Sequence, residues 1–182
     1  MSFREKPVAW GRVALRTWDR RADERLWRLR EREGVLNEAI SALMSEGYYP
    51  RKQRLKNNMV VNTGFNLLLS FLGGVSGTAG LQYVALGSST VSPAPTDTQL
   101  GTEVSRIAVT SFSQQPNDLT VTGYWGTGQA NVSLAEAGIF GNGATATANS
   151  GTLYSHVGFA AFTKDDLESL TAQWDLGYAR PS

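Results

Sequence analysis

The sequence predicts a mainly β protein: an antiparallel β-sandwich or jelly-roll-like domain, preceded by an extended N-terminal arm and by one long and one short α-helix. Three observations carry that expectation. After Leu81, short apolar or alternating segments recur at 81–87, 103–113, 118–126, 131–141, 152–162 and 167–178, the rhythm of an all-β sandwich or barrel. Turn residues separate them, among them Pro116-Asn117-Asp118 and Gly141-Asn142-Gly143, which suit tight-turn dihedrals. Upstream of the domain the apolar residues recur at three and four instead, a helical period.

The elements follow in order. Residues 1–18 read as an extended arm, because Pro7 and Gly11 discourage a helix. Phe3, Val8, Trp10, Val13, Leu15 and Trp18 make it more apolar than a solvated tail. It therefore needs a cover, either its own β-domain or a neighbouring subunit. Residues 19–47 read as an amphipathic helix with Asp19 as its N-cap. Ala22, Leu26, Leu29, Glu33, Leu36, Ile40 and Leu43 form a heptad seam with one charged member. That seam suits either packing on the same chain or a short self-associating stalk. Gly34 costs about 1 kcal/mol relative to alanine in mid-helix, and Gly47 suits the position just past the end. Residues 48–57 read as a basic linker, and residues 58–182 hold a short helix, Asn62 to Leu72, followed by the β-sandwich.

Composition narrows the chemistry. The 182 residues can bury one real core. No run of about 18 apolar residues suggests a membrane span, and the arginine-rich start lacks the apolar stretch of a secretory signal. With no cysteine and a single histidine, His156, the chain offers no disulfide, no thiolate nucleophile and little material for a metal centre or a Ser-His-Asp triad. No cofactor is expected. Residues 1–56 carry 14 Lys/Arg and 8 Asp/Glu, whereas 57–182 carry 3 and 8. A basic arm on an acidic body suits docking on an acidic neighbour. Nucleic acid is the lesser reading, because the arginines are interleaved with acids and Arg51, Lys52, Arg54 and Lys56 have no aromatic partners among them.

Candidate sites are few. The glycine-rich Gly123 to Gly128 lacks a following helix and a lysine, so it reads as a strand end and not a phosphate loop. Glu103 and Arg106 sit three apart in a strand, which predicts opposite faces and separate partners. Glu136 lies in an apolar strand and needs a cation or backbone donors. A structural Arg106–Glu136 ion pair is the sharpest residue-level expectation. Glu103 with Glu136 as a glycan-hydrolysing pair is the catalytic alternative. Asp165, Asp166 and Glu168 lack the central glycine of a calcium loop and read as a solvated turn. His156 reads as a packed or surface strand histidine. Tyr124 and Trp125 suit either the core or sugar stacking.

One stretch goes further. Leu81 to Val109, LQYVALGSSTVSPAPTDTQLGTEVSRIAV, resembles a β-domain that recurs in structural proteins of tailed phages, where a Gly-ended strand precedes a TxPxxxDTxLGxEVxR-like segment. NMVVNTGFNLLLSFLGG extends the likeness upstream to about Asn58, and LAEAGIF and TKDDLESLTAQW extend it downstream. Gly87, Asp97, Thr98, Leu100, Glu103, Arg106, Glu136, Gly138 and Trp174 fall in that family's order. The resemblance implies a non-enzymatic virion structural protein, assembled in the host cytoplasm. A tail, baseplate or fibre-attachment component is the first expectation. A capsid decoration protein or head fibre, and a receptor- or glycan-binding tip module, are the alternatives. It implies other virion proteins as partners and a homo-oligomer, a trimer first. Trp10, Trp18, Leu26, Leu29, Leu36 and Ile40 are the expected docking residues.

Overall fold

The computed structural model of the chain describes residues 8–179. Two five-stranded antiparallel sheets face each other, as the alternating segments predict. The first runs β2 (Lys52–Asn57), β1 (Val8–Asp19), β10 (Glu168–Ala179), β7 (Asp118–Trp125), β6 (Ser111–Gln115). The second runs β3 (Met59–Val60), β9 (Thr152–Thr163), β8 (Ser133–Gly141), β4 (Leu81–Gly87), β5 (Glu103–Ala108). Between them lies the main core, built from inward residues such as Val13, Leu15, Val84, Val121, Trp125, Ile139 and Trp174. Alternation decides membership: Val121 and Trp125 face in, while Thr120, Thr122 and Tyr124 face out and find polar partners.

From Val8 on, the expected arm is a strand, and residues 1–7 lie outside the described residues. Val8 to Asp19 pairs along its whole length with β10, and Arg12 to Thr17 also pairs with Lys52 to Asn57. Of the apolar residues that demanded a cover, those from Val8 on are strand residues, and Val13 and Leu15 enter the core between the sheets; Phe3 lies outside the described residues. Trp10 contributes only backbone to the described residues, so the contact expected of its ring lies outside them. The basic stretch is likewise no linker but the outer strand β2. Its lysines and arginines guard an open sheet edge against further pairing.

The long helix is two helices, α1 (Arg20–Glu33) and α2 (Leu36–Ser45). Asp19 caps the first as expected, its side chain accepting from the Ala22 amide at 2.9 Å. Gly34 ends it with φ +77°, its amide returning to the Arg30 carbonyl at 2.8 Å. That left-handed geometry is cheap only for glycine, so Gly34 breaks the helix where a mere weakening was expected. The helices fold back on each other, and Arg25 reaches Glu46 with two hydrogen bonds of 2.6 Å. Together they cover the outer face of the first sheet. Trp18, Ala22, Leu26, Leu29, Leu36, Ala39, Ile40 and Leu43 form one core there, each no more than 2% exposed. The heptad seam is therefore internal. Trp18, Leu26, Leu29, Leu36 and Ile40 are consumed by their own chain and are not a docking surface.

The short helix α3 spans Asn62–Leu72, as the sequence predicts. The segment expected as one strand at 103–113 is two, β5 and β6, each in a different sheet. Among the described residues no helix is long and apolar enough to cross a membrane.

Candidate functional site

The chain between β4 and β5, Ser88 to Thr102, lies over the outer face of the second sheet. Leu100 anchors it in a small apolar cluster with Val61, Ala85, Phe140, Ala144 and Leu153, and Pro95 accepts from the Asn62 amide at 2.8 Å. Beneath it sit Glu136 and His156. A register shift between Leu134 and Glu136 turns consecutive inward and outward positions over. Leu134 thereby joins the core between the sheets, while Glu136 faces the covering loop. Gly87, opposite Glu136 in the ladder, makes room: a Cβ there would lie 2.3 Å from Glu136 Oε1.

Glu136 is fully buried, and every donor it needs is present. Its Oε1 accepts from the amides of Thr102 at 2.7 Å and Ser89 at 3.2 Å; its Oε2 accepts from the Gly101 amide at 3.0 Å. The fourth contact is His156, whose Nε2 stands 2.9 Å from Oε2. On the other side of the ring, Nδ1 stands 2.7 Å from Asp97 Oδ2, which also accepts from the Ala94 amide at 2.8 Å. An imidazole between two carboxylates satisfies both by donating from both nitrogens, which is the protonated form.

The electrostatics agree. Burial pushes the His156 ring toward neutrality, but hydrogen bonds to Glu136 and Asp97, with their charges, outweigh it and raise its pKa. Burial likewise pushes the Glu136 carboxyl up, yet the His156 hydrogen bond and the Thr102 and Gly101 amides hold it below its ordinary value. A cleft of about 290 Å³ opens beside the trio, lined by Ser92, Thr96, Thr98 and Gln99 among others. The trio itself is committed. Both ring nitrogens have carboxylate partners, so the imidazole has no free lone pair to act as a base. Chemically the arrangement is a clamp that ties a long loop to two strands.

The expected Arg106–Glu136 pair does not form. Arg106 binds Glu103 through two hydrogen bonds of 2.7 and 2.8 Å, with both side chains 2% exposed. The reasoning from opposite faces fails at a bulge. Leu86 pairs with Ser105 and Gly87 with Glu103, which leaves Val104 as an extra residue. Glu103 is thereby rotated to the face of Arg106. The guanidinium also lies 4.0 Å over the Phe140 ring and donates to the Ser150 carbonyl at 2.8 Å. It thus ties the loop of residues 142–151 to β5. Glu103 and Glu136 therefore have separate partners and do not form a glycosidase pair.

Other expectations meet mixed outcomes. The acidic turn near Asp165 is not simply solvated: Lys164 and Glu168 are fully buried. Lys164 Nζ donates to Asn131 Oδ1 at 2.7 Å and to the carbonyls of Thr127 and Asp165 at 3.2 Å, and burial lowers its pKa. Glu168 accepts from Lys52 at 2.7 Å and faces Arg51 at 3.4 Å, so two of the linker's basic residues neutralise a buried acid of their own chain. Trp125 is fully buried and Tyr124 donates to Asp23 at 2.9 Å beneath the Trp27 ring, which removes them as a sugar platform. Among the described residues no group of three or more His, Asp or Glu is arranged to hold a metal ion. Sequence reasoning missed Asp97 and His156 as partners. They lie 59 residues apart and join only through the covering loop.

With that geometry in hand, comparison of the chain with protein families, with curated proteins and with solved structures found no match.

Proposed function

We propose that the protein is a non-enzymatic structural component of a tailed-phage virion, acting as a homo-oligomer in the tail, baseplate or fibre-attachment region. One observation carries the reading. The residues that resemble the phage β-domain motif converge on structural contacts: Asp97, Gly101 and Glu136 on the clamp, Leu100 in the cluster above it, Glu103 and Arg106 on each other. A motif whose charged members are all paired internally serves a body that must keep its shape, as an assembly protein does. The N-terminal helices belong to that body, so docking falls to other surfaces. Immunogold labelling of purified particles tests the reading. Label on the tail or baseplate supports it, label confined to the capsid replaces it with a decoration role, and absence of the chain from particles overturns it.

A further inference from the structure

Half of the large exposed apolar side chains among the described residues lie on or beside α3. This helix buries Gly64 and Leu67, yet Leu69 is 65%, Leu72 74% and Phe71 57% exposed. Phe65, Leu69 and Leu72 are spaced four and three apart and form one stripe along the helix. Leu68 and Phe71 continue that stripe into an open groove of about 520 Å³, whose far wall is Leu119 and Leu176. Phe112, 48% exposed on β6, extends the surface to the sheet edge. Side chains of these sizes at these exposures leave on the order of 600 Å² of apolar surface in contact with water, the upper limit of what a monomer ordinarily tolerates.

What covers this surface is indicated by its charge. The forty residues from Asn57 to Thr96, which include all of α3, contain no Lys, Arg, Asp or Glu. In the adjoining groove Asp118 is the one charged residue. The two edges of the first sheet differ in the same way. β2 carries Lys52, Arg54 and Lys56, whereas β6, Ser-Phe-Ser-Gln-Gln, has neither charge nor proline. One edge is guarded against pairing and the edge beside the apolar surface is not. A charged partner finds no counterpart here. The helix stripe itself, which has no charge, meets its own copy with no unpaired ion to bury, and Asp118 lies in the groove beside it. Two such surfaces would together remove about 1,200 Å² from water, which clears the roughly 1,000 Å² of a specific interface.

We propose that the Phe65–Leu69–Leu72 stripe of α3, with the groove beside it, is the contact between copies of this chain. The proposal rests on the homo-oligomer part of the reading above and is independent of where in a virion the protein sits. Sedimentation equilibrium of the full chain tests it, with the double substitution Leu69→Asp, Leu72→Asp as the variant. The wild-type chain is expected at a multiple of 19.7 kDa, and the variant at the monomer mass with unchanged circular dichroism, because both side chains face solvent in the single chain. The chain has no cysteine, so Leu69→Cys alone supplies a second readout: oxidation is expected to yield a covalent dimer. A monomeric wild type overturns the contact and the homo-oligomer together. A variant that keeps the wild-type mass overturns the α3 contact but leaves the homo-oligomer. Neither result touches the particle labelling, which tests the virion reading separately.

Discussion

Glu136→Gln tests the clamp at its most connected atom pair. The carboxylate accepts three backbone amides and faces His156. In the amide, one oxygen becomes an NH₂ group. Placed at Oε1, it points a donor at the amides of Thr102 and Ser89; placed at Oε2, it points one at Gly101 and the imidazolium. Either way two donors lose their acceptor: the first placement orphans the Thr102 and Ser89 amides and leaves His156 a neutral acceptor, and the second leaves His156 only Asp97. Removing one member of a buried charge pair costs about 3–5 kcal/mol, a large share of the 5–15 kcal/mol that holds a typical domain. Urea unfolding, read as a lower midpoint at constant slope, is the assay, run between pH 4.5 and 6.5, the ordinary values of the two groups. A loss below about 1 kcal/mol, the size expected of an exposed pair, would show that Glu136 does not hold the loop.

Other predictions follow from the same contacts. Stability should depend on pH in a defined window. The His156 contribution is full below pH 6.5 and is lost as pH rises through its higher folded value; that of Glu136 is full above pH 4.5 and is lost as pH falls through its lower folded value. The urea midpoint is therefore expected to be highest between those limits, and His156→Gln should flatten the decline on the alkaline side. Gly87→Ala places a methyl 2.3 Å from Glu136 Oε1 and should cost about 1–3 kcal/mol by overpacking; a neutral result would mean the loop is looser than described. Trp18→Ala should cost about 3–5 kcal/mol, as for a fully buried aromatic, without changing the sedimenting mass. Burial chiefly, with the Asp23 charge adding to it, pushes the Tyr124 phenol up to about 12, so ultraviolet titration should show one tyrosine ionising last and Tyr124→Phe should remove that step.

Much of the fold is legible in the sequence because it depends on local period. The 81–87 strand, the Asn62–Leu72 helix and the turn at Asn117, with φ +66°, are all set by neighbours in the chain. The errors arise where a long-range partner decides. The segment from Val8 to Trp18 has no neighbour in sequence to pair with; it is a strand because β10 and β2 flank it. Gly34 reads as a weak helix position until α2 is seen to fold back on α1. The Arg106 error is of another kind. Parity along a strand predicts side-chain direction only while the register is regular, and the bulge at Val104 reverses it. The need of Glu136 for buried donors was legible. Their identity was not, because Ser89, Gly101 and Thr102 act through backbone amides that any residue but proline possesses.

The claim that carries the rest is that His156 is held as an imidazolium between Asp97 and Glu136, bound into the fold and withdrawn from chemistry. It is the chain's only histidine, so its ring nitrogens can be followed without ambiguity by nitrogen-15 NMR across a pH titration. A doubly protonated ring is expected at pH 6.5, the ordinary histidine value, with a titration midpoint above it. A ring that is neutral there, or a midpoint at or below that value, would contradict it.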